Sequence, residues 1–359
     1  MYRRQFLQSL HVMGANIILP SSELSGEDGS VITPSDAPVL VAPGKVVEGD
    51  AGVWDIPKVG IVAIGGLGIV ILNDIEGRLP YVGRSIAIDT DVRSLRRVKA
   101  DCKIRVGDAR DLPRDHHGVR LVAKSSIHEI ADAVTGLDMV FLVVGMGGGA
   151  GSGIARIVAK ILREQNIFTL VFASLPSTFE NQQRWQIAET DIRELRSHVD
   201  ALLPFYNGNM AQVAVENASF TSVSTQAALA FDQLWQGVLN PVCRPGLVNV
   251  DLDDLKHLVL SHEGDCAFGF GSASSAEAAA LTAIDHPLLG QHRLQRAAAI
   301  LMTVRAPTGV LKLGILTSAM RSIRKQLRQD PWIIYGAHHD DTLGDEISVS
   351  VLASGIRGA

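Results

Sequence analysis

Apolar positions along the chain follow two rhythms. At 59–64, 85–88, 139–144, 168–174 and 199–203 they run on with few polar interruptions, as in strands buried on both faces of a parallel sheet. Between these runs the spacing changes to three and four. Ile154, Ile157, Val158, Ile161 and Leu162 share one helical face, with Arg156, Lys160 and Arg163 on the other. Strand and helix alternating in this way predict an α/β fold with a doubly wound parallel sheet over 53–220. "STQAALAFDQLWQGVLN" at 224–240 predicts a long helix, set within a linking segment at 221–244. From residue 245 the pattern shifts to a smaller α+β domain reaching 359, with strands in "PWIIYG" and "EISVSVLAS". Residues 1–52 hold Pro20, Glu27, Asp28, Pro34 and Pro38 with no sustained period, which predicts a mostly disordered extension.

One join between strand and helix stands apart. "DMVFLVVGMGGGAGSGIARIVAKIL" places Gly145, Gly147, Gly148, Gly149, Gly151 and Gly153 between an apolar run and an amphipathic helix. Glycine loses more backbone entropy on ordering than other residues, so such density implies a need for bare backbone. A turn of this kind directs free N–H groups and the positive end of a helix dipole at one point, and a phosphate fits there. A P-loop would require Gly-Lys-Ser/Thr, and the first lysine after the glycines is Lys160. Gly145-x-Gly147-x-x-Ala150 has dinucleotide spacing, but the next strand ends on Leu175 and Pro176 where that motif wants an acid. An unoccupied tight turn is the bland alternative.

Composition narrows the class. Net charge is −5 without a long basic run, which argues against nucleic acid as a partner. Cys102, Cys243 and Cys266 have neither metal-like nor paired spacing and read as reduced core residues of a cytoplasmic protein. No stretch has the length and apolarity of a membrane span.

The order Gly147-Gly-Gly-Ala-Gly-Ser-Gly153 resembles the signature loop of the tubulin/FtsZ family, and the likeness continues along roughly residues 57–356. "KVGIVAIGGLGIVILNDI" is similar to the family's first strand and glycine loop, with Gly65 and Gly66 against the nucleotide. "SIAIDTDVRSL", "LPSTFENQQR", "HVDALLPFYNGNM", "RPGLVNVDLDDLKHL" and "GDEISVSVLASGI" follow in family order. The resemblance implies GTP or GDP with Mg2+ as cofactors. Gly145, Gly147, Gly148, Gly149, Ala150, Gly151 and Ser152 would lie at the phosphates, Glu180 and Arg184 at ribose and guanine, and Asn207 at the nucleotide. It further implies a homopolymer assembled head to tail, in which Asn249, Asp251 and Asp254 of one subunit complete GTP hydrolysis on the next. Paired carboxylates suit the orientation of an attacking water. Two acids at a helix start also suit simple dipole complementation.

Several positions depart from the family pattern. Gly65-Gly-Leu-Gly-Ile-Val70 replaces a run of five glycines and an Asn, and Ala150 replaces a Thr. Ser224, Ala228 and Leu229 stand where an aromatic and an Asn–Asp pair meet guanine, and "DARDLPRDHHGVRLVAKSS" replaces a glycine-rich phosphate sensor. Arg93 stands in place of a Gln near the phosphates, as compensating charge or as a solvated surface residue. Two functions follow: a divergent cytoskeletal GTPase, or a non-hydrolysing scaffold with an eroded pocket that acts in division or membrane remodelling by assembly alone. "YRRQFLQSL" resembles the start of a twin-arginine signal, but His11 and Asn16 interrupt the apolar stretch after it. A flexible tail, or a segment that lies on a membrane or docks an adaptor, are the other readings of residues 1–50. Asp115-His116-His117 and His338-His339-Asp340-Asp341 read as exposed turn residues rather than metal ligands.

Overall fold

The computed structural model describes residues 46–49, 52–75, 77–79, 82–107, 116–176, 180–207, 220–244 and 246–356. Strands β1 (Val46–Gly49) and β2 (Gly52–Asp55) form an antiparallel hairpin. The first of them falls inside the stretch expected to lack regular structure, because backbone pairing between the two short strands needs no apolar periodicity. Most of that extension, with the twin-arginine-like segment, lies outside the described residues.

The first domain is a six-stranded, wholly parallel sheet of β3 (Val59–Ile64), β4 (Val82–Asp89), β5 (Cys102–Arg105), β6 (Met139–Gly145), β7 (Phe168–Leu175) and β8 (Ala201–Tyr206), in the order β5-β4-β3-β6-β7-β8. The last strand starts two residues later than the 199–203 run and ends at Tyr206. Its ladder to β7 begins at Ala201 opposite Leu170 and continues through Pro204, which an edge strand tolerates. Helix α1 (Gly65–Asp74) leads from β3 out to β4, and helix α5 (Gly149–Glu164) leads from β6 the other way to β7. Between them in the chain lie α2 (Val92–Arg97), α3 (His116–Ala123) and α4 (Ile127–Val134). The sheet reverses its winding between β3 and β6, and such a switch point opens a crevice at the carboxyl ends of the strands. Both glycine segments begin there.

Each face of this sheet is covered. Val62, Leu142 and Val144 pack with Ile154, Val158 and Leu162 of α5. On the other face the central helix α7 runs from Phe220 to Leu234, passes through a π turn at Trp235–Leu239, and ends over Asn240–Cys243. Phe141 meets Phe231 edge to face at 5.6 Å and Trp235 at 5.8 Å, while Phe172 meets Phe231 at 5.6 Å. Helix α6 (Gln182–Arg196) joins β7 to β8.

After α7 come α8 (Leu252–Leu260) and a second, mixed sheet of β9 (Asp265–Ala273), β10 (Ala299–Ala306), β11 (Trp332–His339) and β12 (Ile347–Ile356), in the order β11-β10-β12-β9. Helices α9 (Ala276–Asp285) and α11 (Leu313–Gln326), with the short α10 (Gln291–Leu294), accompany it. The π turn presses on this sheet: the Gly237 carbonyl accepts from the buried Thr303 hydroxyl at 2.7 Å, and a Cβ at 237 would collide with Ser350. Arg196 pairs with Asp265 at 2.6 Å across the two domains. His338 and His339 were expected in an exposed turn. They end β11 instead, opposite Arg305 and Ala306, and His338 is only 4% exposed. Parallel pairing to β10 carries the strand two residues past its last apolar position.

Two outcomes are expected. Phe141→Ala removes a fully buried ring shared with the central helix, and should cost about 3–5 kcal/mol in denaturant unfolding. Burial beside Arg244, Arg305 and His339 pushes His338 down from 6.5 to about 3. Below pH 6.5 the unfolded chain takes up a proton that the folded chain refuses, so stability should fall by up to about 1.4 kcal/mol per pH unit on acidification toward pH 3. Unfolding of His338→Val followed from pH 7 to 5 should show a shallower fall.

Candidate functional site

The site is built on two helix starts. Helix α1 follows Ile64 and α5 follows Gly148, and neither has a side-chain cap or an acid in its first turn. By contrast, Asp91, Asn181, Asp251 and Ser275 cap α2, α6, α8 and α9. The first N–H groups of a helix have no intrahelical acceptor, and with no side chain to take them they suit an external anion.

Glycine lets these two starts approach each other. A Cβ at Gly65, where φ is +72°, would lie 3.1 Å from the Gly151 nitrogen, and one at Gly151 would collide with the Gly145 carbonyl. Deeper in, a Cβ at Gly68 would come within 2.6 Å of the Val143 carbonyl. Gly147 (φ +80°) turns the chain into α5, and a Cβ there would sit 2.7 Å from the Arg184 carbonyl. That contact brings the start of α6 against the loop. Gly66 and Gly148 differ, since a Cβ on either would meet nothing within 4 Å. They line open space. The Ser152 hydroxyl is buried and accepts from the Gly147 N–H at 2.9 Å, and the Met146 N–H donates to Ser174 O at 2.8 Å. Ala150 and Gly149 are half-buried in the first turn of α5.

The residues expected at ribose and base lie beside this loop. Glu180 and Arg184 form an ion pair at 2.6 Å, and Asn207 Oδ1 accepts from the Ser174 hydroxyl at 2.7 Å. Leu229 on the central helix is 41% exposed, whereas Ala228 is buried. Arg93 is 85% exposed and lies 3.3 Å from Asp91. The altered segment at 108–115 lies outside the described residues. Asp89, not singled out in the sequence, ends β4 with its carboxylate 3% exposed. It accepts from the Thr90 N–H at 2.6 Å and the Asp91 N–H at 3.2 Å, and burial raises its pKa. An acid directly after Ile86-Ala-Ile88 was the available signal. Trp185 and Tyr206, with near-parallel rings 6.4 Å apart, were also missed.

Asn249, Asp251 and Asp254 follow the central helix, apart from the glycine loops. The central helix runs against the strand direction, and Gln236 near its end reaches the Arg78 carbonyl, just beyond the far end of α1. The loop after it holds Asn249, 6% exposed, whose Oδ1 accepts from the Gly246 N–H at 2.6 Å. Asp251 and Asp254 form a reciprocal capping box: Asp254 N–H to Asp251 at 2.7 Å, and Asp251 N–H to Asp254 at 3.2 Å. Burial, reinforced by the Asp251 and Asp253 charges, raises the Asp254 pKa. The three residues are together, but within one chain they are not at the glycine loops. Among the described residues no group of three or more His, Cys, Asp or Glu side chains could hold a metal ion, and no helix is long and apolar enough to cross a membrane.

Comparison with known proteins agrees with this geometry. Residues 58–215 match the tubulin/FtsZ family GTPase domain, and residues 264–357 match the FtsZ family C-terminal domain. The cell division protein FtsZ of Caulobacter vibrioides is 33% identical over 314 residues, which cover 84% of this chain and 61% of the relative's length. That of Wolbachia is 31% identical over 325 residues, covering 84% of this chain and 80% of the relative. An FtsZ of M. jannaschii, solved as an empty dimer, superposes with a TM-score of 0.75 at 28% identity, covering 84% of this chain and 89% of that one. The chain belongs to the tubulin/FtsZ family.

Proposed function

We propose that the protein is a self-assembling GTPase whose hydrolytic site is completed where one subunit meets the next. The reading rests on one observation above all: the uncapped glycine-loop helices lie at the carboxyl ends of the first sheet, whereas the Asn249–Asp254 loop stands apart from them, past the far end of the central helix. Head-to-tail stacking brings two such sites together. The contact is heterologous and propagates as a protofilament rather than closing.

The residues present fit a nucleoside triphosphate. The phosphates would rest on the N–H groups of Gly148, Gly149 and Ala150, beside Gly66, in the space where a Cβ meets nothing. Glu180, Arg184 and Asn207 stand along the path of ribose and base. Mg2+ would be held mainly by phosphate oxygens and water, as is usual for that ion, and would neutralise charge on the transferred group. From the adjoining subunit, Asp254 would orient the attacking water, with its raised pKa suiting proton acceptance. Asp251 and Asn249 would hold the loop in shape.

A scaffold that assembles without hydrolysis is the second reading. It is favoured by the capping box that engages both carboxylates, by the Glu180–Arg184 pair, and by the apolar Leu229 on the base side. A membrane adaptor acting through residues 1–50 is compatible with either.

Titration with GTP and with ATP, with and without Mg2+, while pelleting and phosphate release are followed, separates the two. The GTPase reading expects turnover per subunit to rise with protein concentration. Asp254→Asn preserves a capping oxygen and should lower kcat by about 10²-fold with little loss of stability. Unchanged turnover in that variant would sink the junction mechanism. Gly148→Ala fits the fold and fills the open space, so it should weaken nucleotide binding at least about tenfold with an unchanged unfolding midpoint. Equal affinity in Gly148→Ala would mean that the nucleotide does not rest there.

A further inference from the structure

Charge is distributed unevenly along the chain. Between residues 286 and 329 there are eight Arg and Lys and no Asp or Glu, in a sequence whose net charge is −5. Two of the eight lie apart: Arg305 is buried and pairs with Asp340, and Lys312 stands just before the start of α11. The other six gather at the opposite end of that helix. Arg321, Arg324, Lys325 and Arg328 recur three and four apart at its exposed end and just past it. The Gln291 amide donates to Gln326 at 2.5 Å, which sets α10 against that end and adds Arg293 and Arg296. Local compensation is slight. Arg324 meets Asp330 at 3.5 Å with both side chains exposed, a pairing that contributes little in water, and the carbonyl of Leu288 that accepts from Arg293 takes no charge away.

Such a face attracts an anion, and the chain itself contains one of matching character. Residues 5–44 hold Glu23, Glu27, Asp28 and Asp36 with no Arg or Lys. That segment leads into β3, whose amino end belongs to a row: the Asp138 N–H donates to Lys58 O at 2.9 Å, the Phe168 N–H to Asp138 O at 3.2 Å, and the Asp200 N–H to Thr169 O at 3.1 Å. The row crosses to the second domain through Arg196 and Asp265 at 2.6 Å. It continues where Ile356 pairs with Asp265, the Ala298 N–H donates to Ser354 O at 2.9 Å, and the Trp332 N–H donates to Ala298 O at 3.1 Å. Helices α10 and α11 end just before β10 and β11, at the end of this row. Six strand-to-strand steps of about 4.8 Å and one step of about 10 Å between domains put roughly 40 Å between Lys58 and the basic face. Asp28 precedes Val46 by eighteen residues, which span roughly 60 Å when extended. The acids can reach.

We infer that residues 23–28 dock on the basic face of α10 and α11 in the same chain, through ion pairs from Glu23, Glu27 and Asp28. Each exposed pair is weak, but the tether holds the segment at an effective concentration in the millimolar range. The face is thereby covered, and another anionic surface meets it only when the segment leaves. The docking is independent of the nucleotide reading.

The test is carbodiimide cross-linking of the full chain, which joins a carboxylate directly to a lysine amine; Lys325 is the one lysine among the six cations. A link between residues 23–28 and Lys325 is expected at low salt. It should fall at least about fivefold in 1 M salt, where the Debye length is about 3 Å, and vanish in Lys325→Arg, which keeps the charge. In an equal mixture of isotopically heavy and light protein, links within one isotope place the segment on its own chain. Heavy–light links at their statistical share place it on a second copy and overturn the inference, as does the absence of any 23–28 to Lys325 link at low salt. A second readout needs no cross-link. The combined variant Glu23→Gln, Glu27→Gln, Asp28→Asn uncovers the face and should bind phosphatidylglycerol vesicles at low salt at least about tenfold tighter than the parent in flotation. Equal binding by parent and variant overturns the inference, in favour of a membrane as the occupant if that binding is strong and of a solvated face if it is absent.

Discussion

Everything at the glycine-loop end of the first sheet depends on the absence of a side chain at Gly151. Helix α5 begins so close to the end of β6 that any Cβ there would meet the Gly145 carbonyl. The same closeness lets Gly65 of the first glycine segment lie against the Gly151 backbone, so two helix dipoles end at one place. A Ser or Ala at 151 would push α5 outward and separate them. Glycines at 66 and 148 do something different, since they leave room rather than permit contact. The cluster thus contains two kinds of glycine, one required by the protein and one available to a ligand.

The second constraint is the central helix. Its Phe231 and Trp235 fill the face of the first sheet at Phe141 and Phe172, and two residues later the Gly237 carbonyl is held by Thr303 of the second sheet. A single rod is therefore gripped by both domains within one turn. Rearrangement of one domain against the other must strain that grip or break the Thr303 bond, whose loss would leave two buried polar groups unpartnered at a cost on the order of 1–3 kcal/mol each.

Much of this was legible in the residues. Strands β3, β6 and β7 are buried on both faces, which writes a continuous apolar run, and the glycines of 145–153 mark the turn between β6 and α5. The order of family-like segments located the Asn249–Asp254 loop as well. What was not legible had physical causes. β9 reads "DCAFGFGSA", with small residues where Ala279, Thr282 and Ala283 of α9 press on Gly269 and Gly271, so its apolar signal is thin. The 199–203 run found β8 but not its end, because Pro204 argues against a strand unless the strand is known to be an edge. The pair His338–His339 beside two aspartates looked like an exposed turn because composition cannot reveal that strand pairing to β10 continues through them. For Asp251 and Asp254 the spacing supported both a cap and a catalytic pair, and the capping hydrogen bonds belong to either role.

The order of strands in the second sheet has a consequence for how the protein is made. β12, the latest strand in sequence among the described residues, lies between β9 and β10, and all ten of its residues are buried. Until residues 347–356 have left the ribosome, β9 has no partner in its own sheet and β10 exposes an unpaired edge. The first domain can close on the growing chain, whereas the second must wait for residues 347–356. During that interval the bare edges of β9 and β10 are open to pairing with another nascent copy. The chain's vulnerability to misassembly is therefore greatest just before β12 arrives, and any delay in translation over the segment between β11 and β12 would lengthen it.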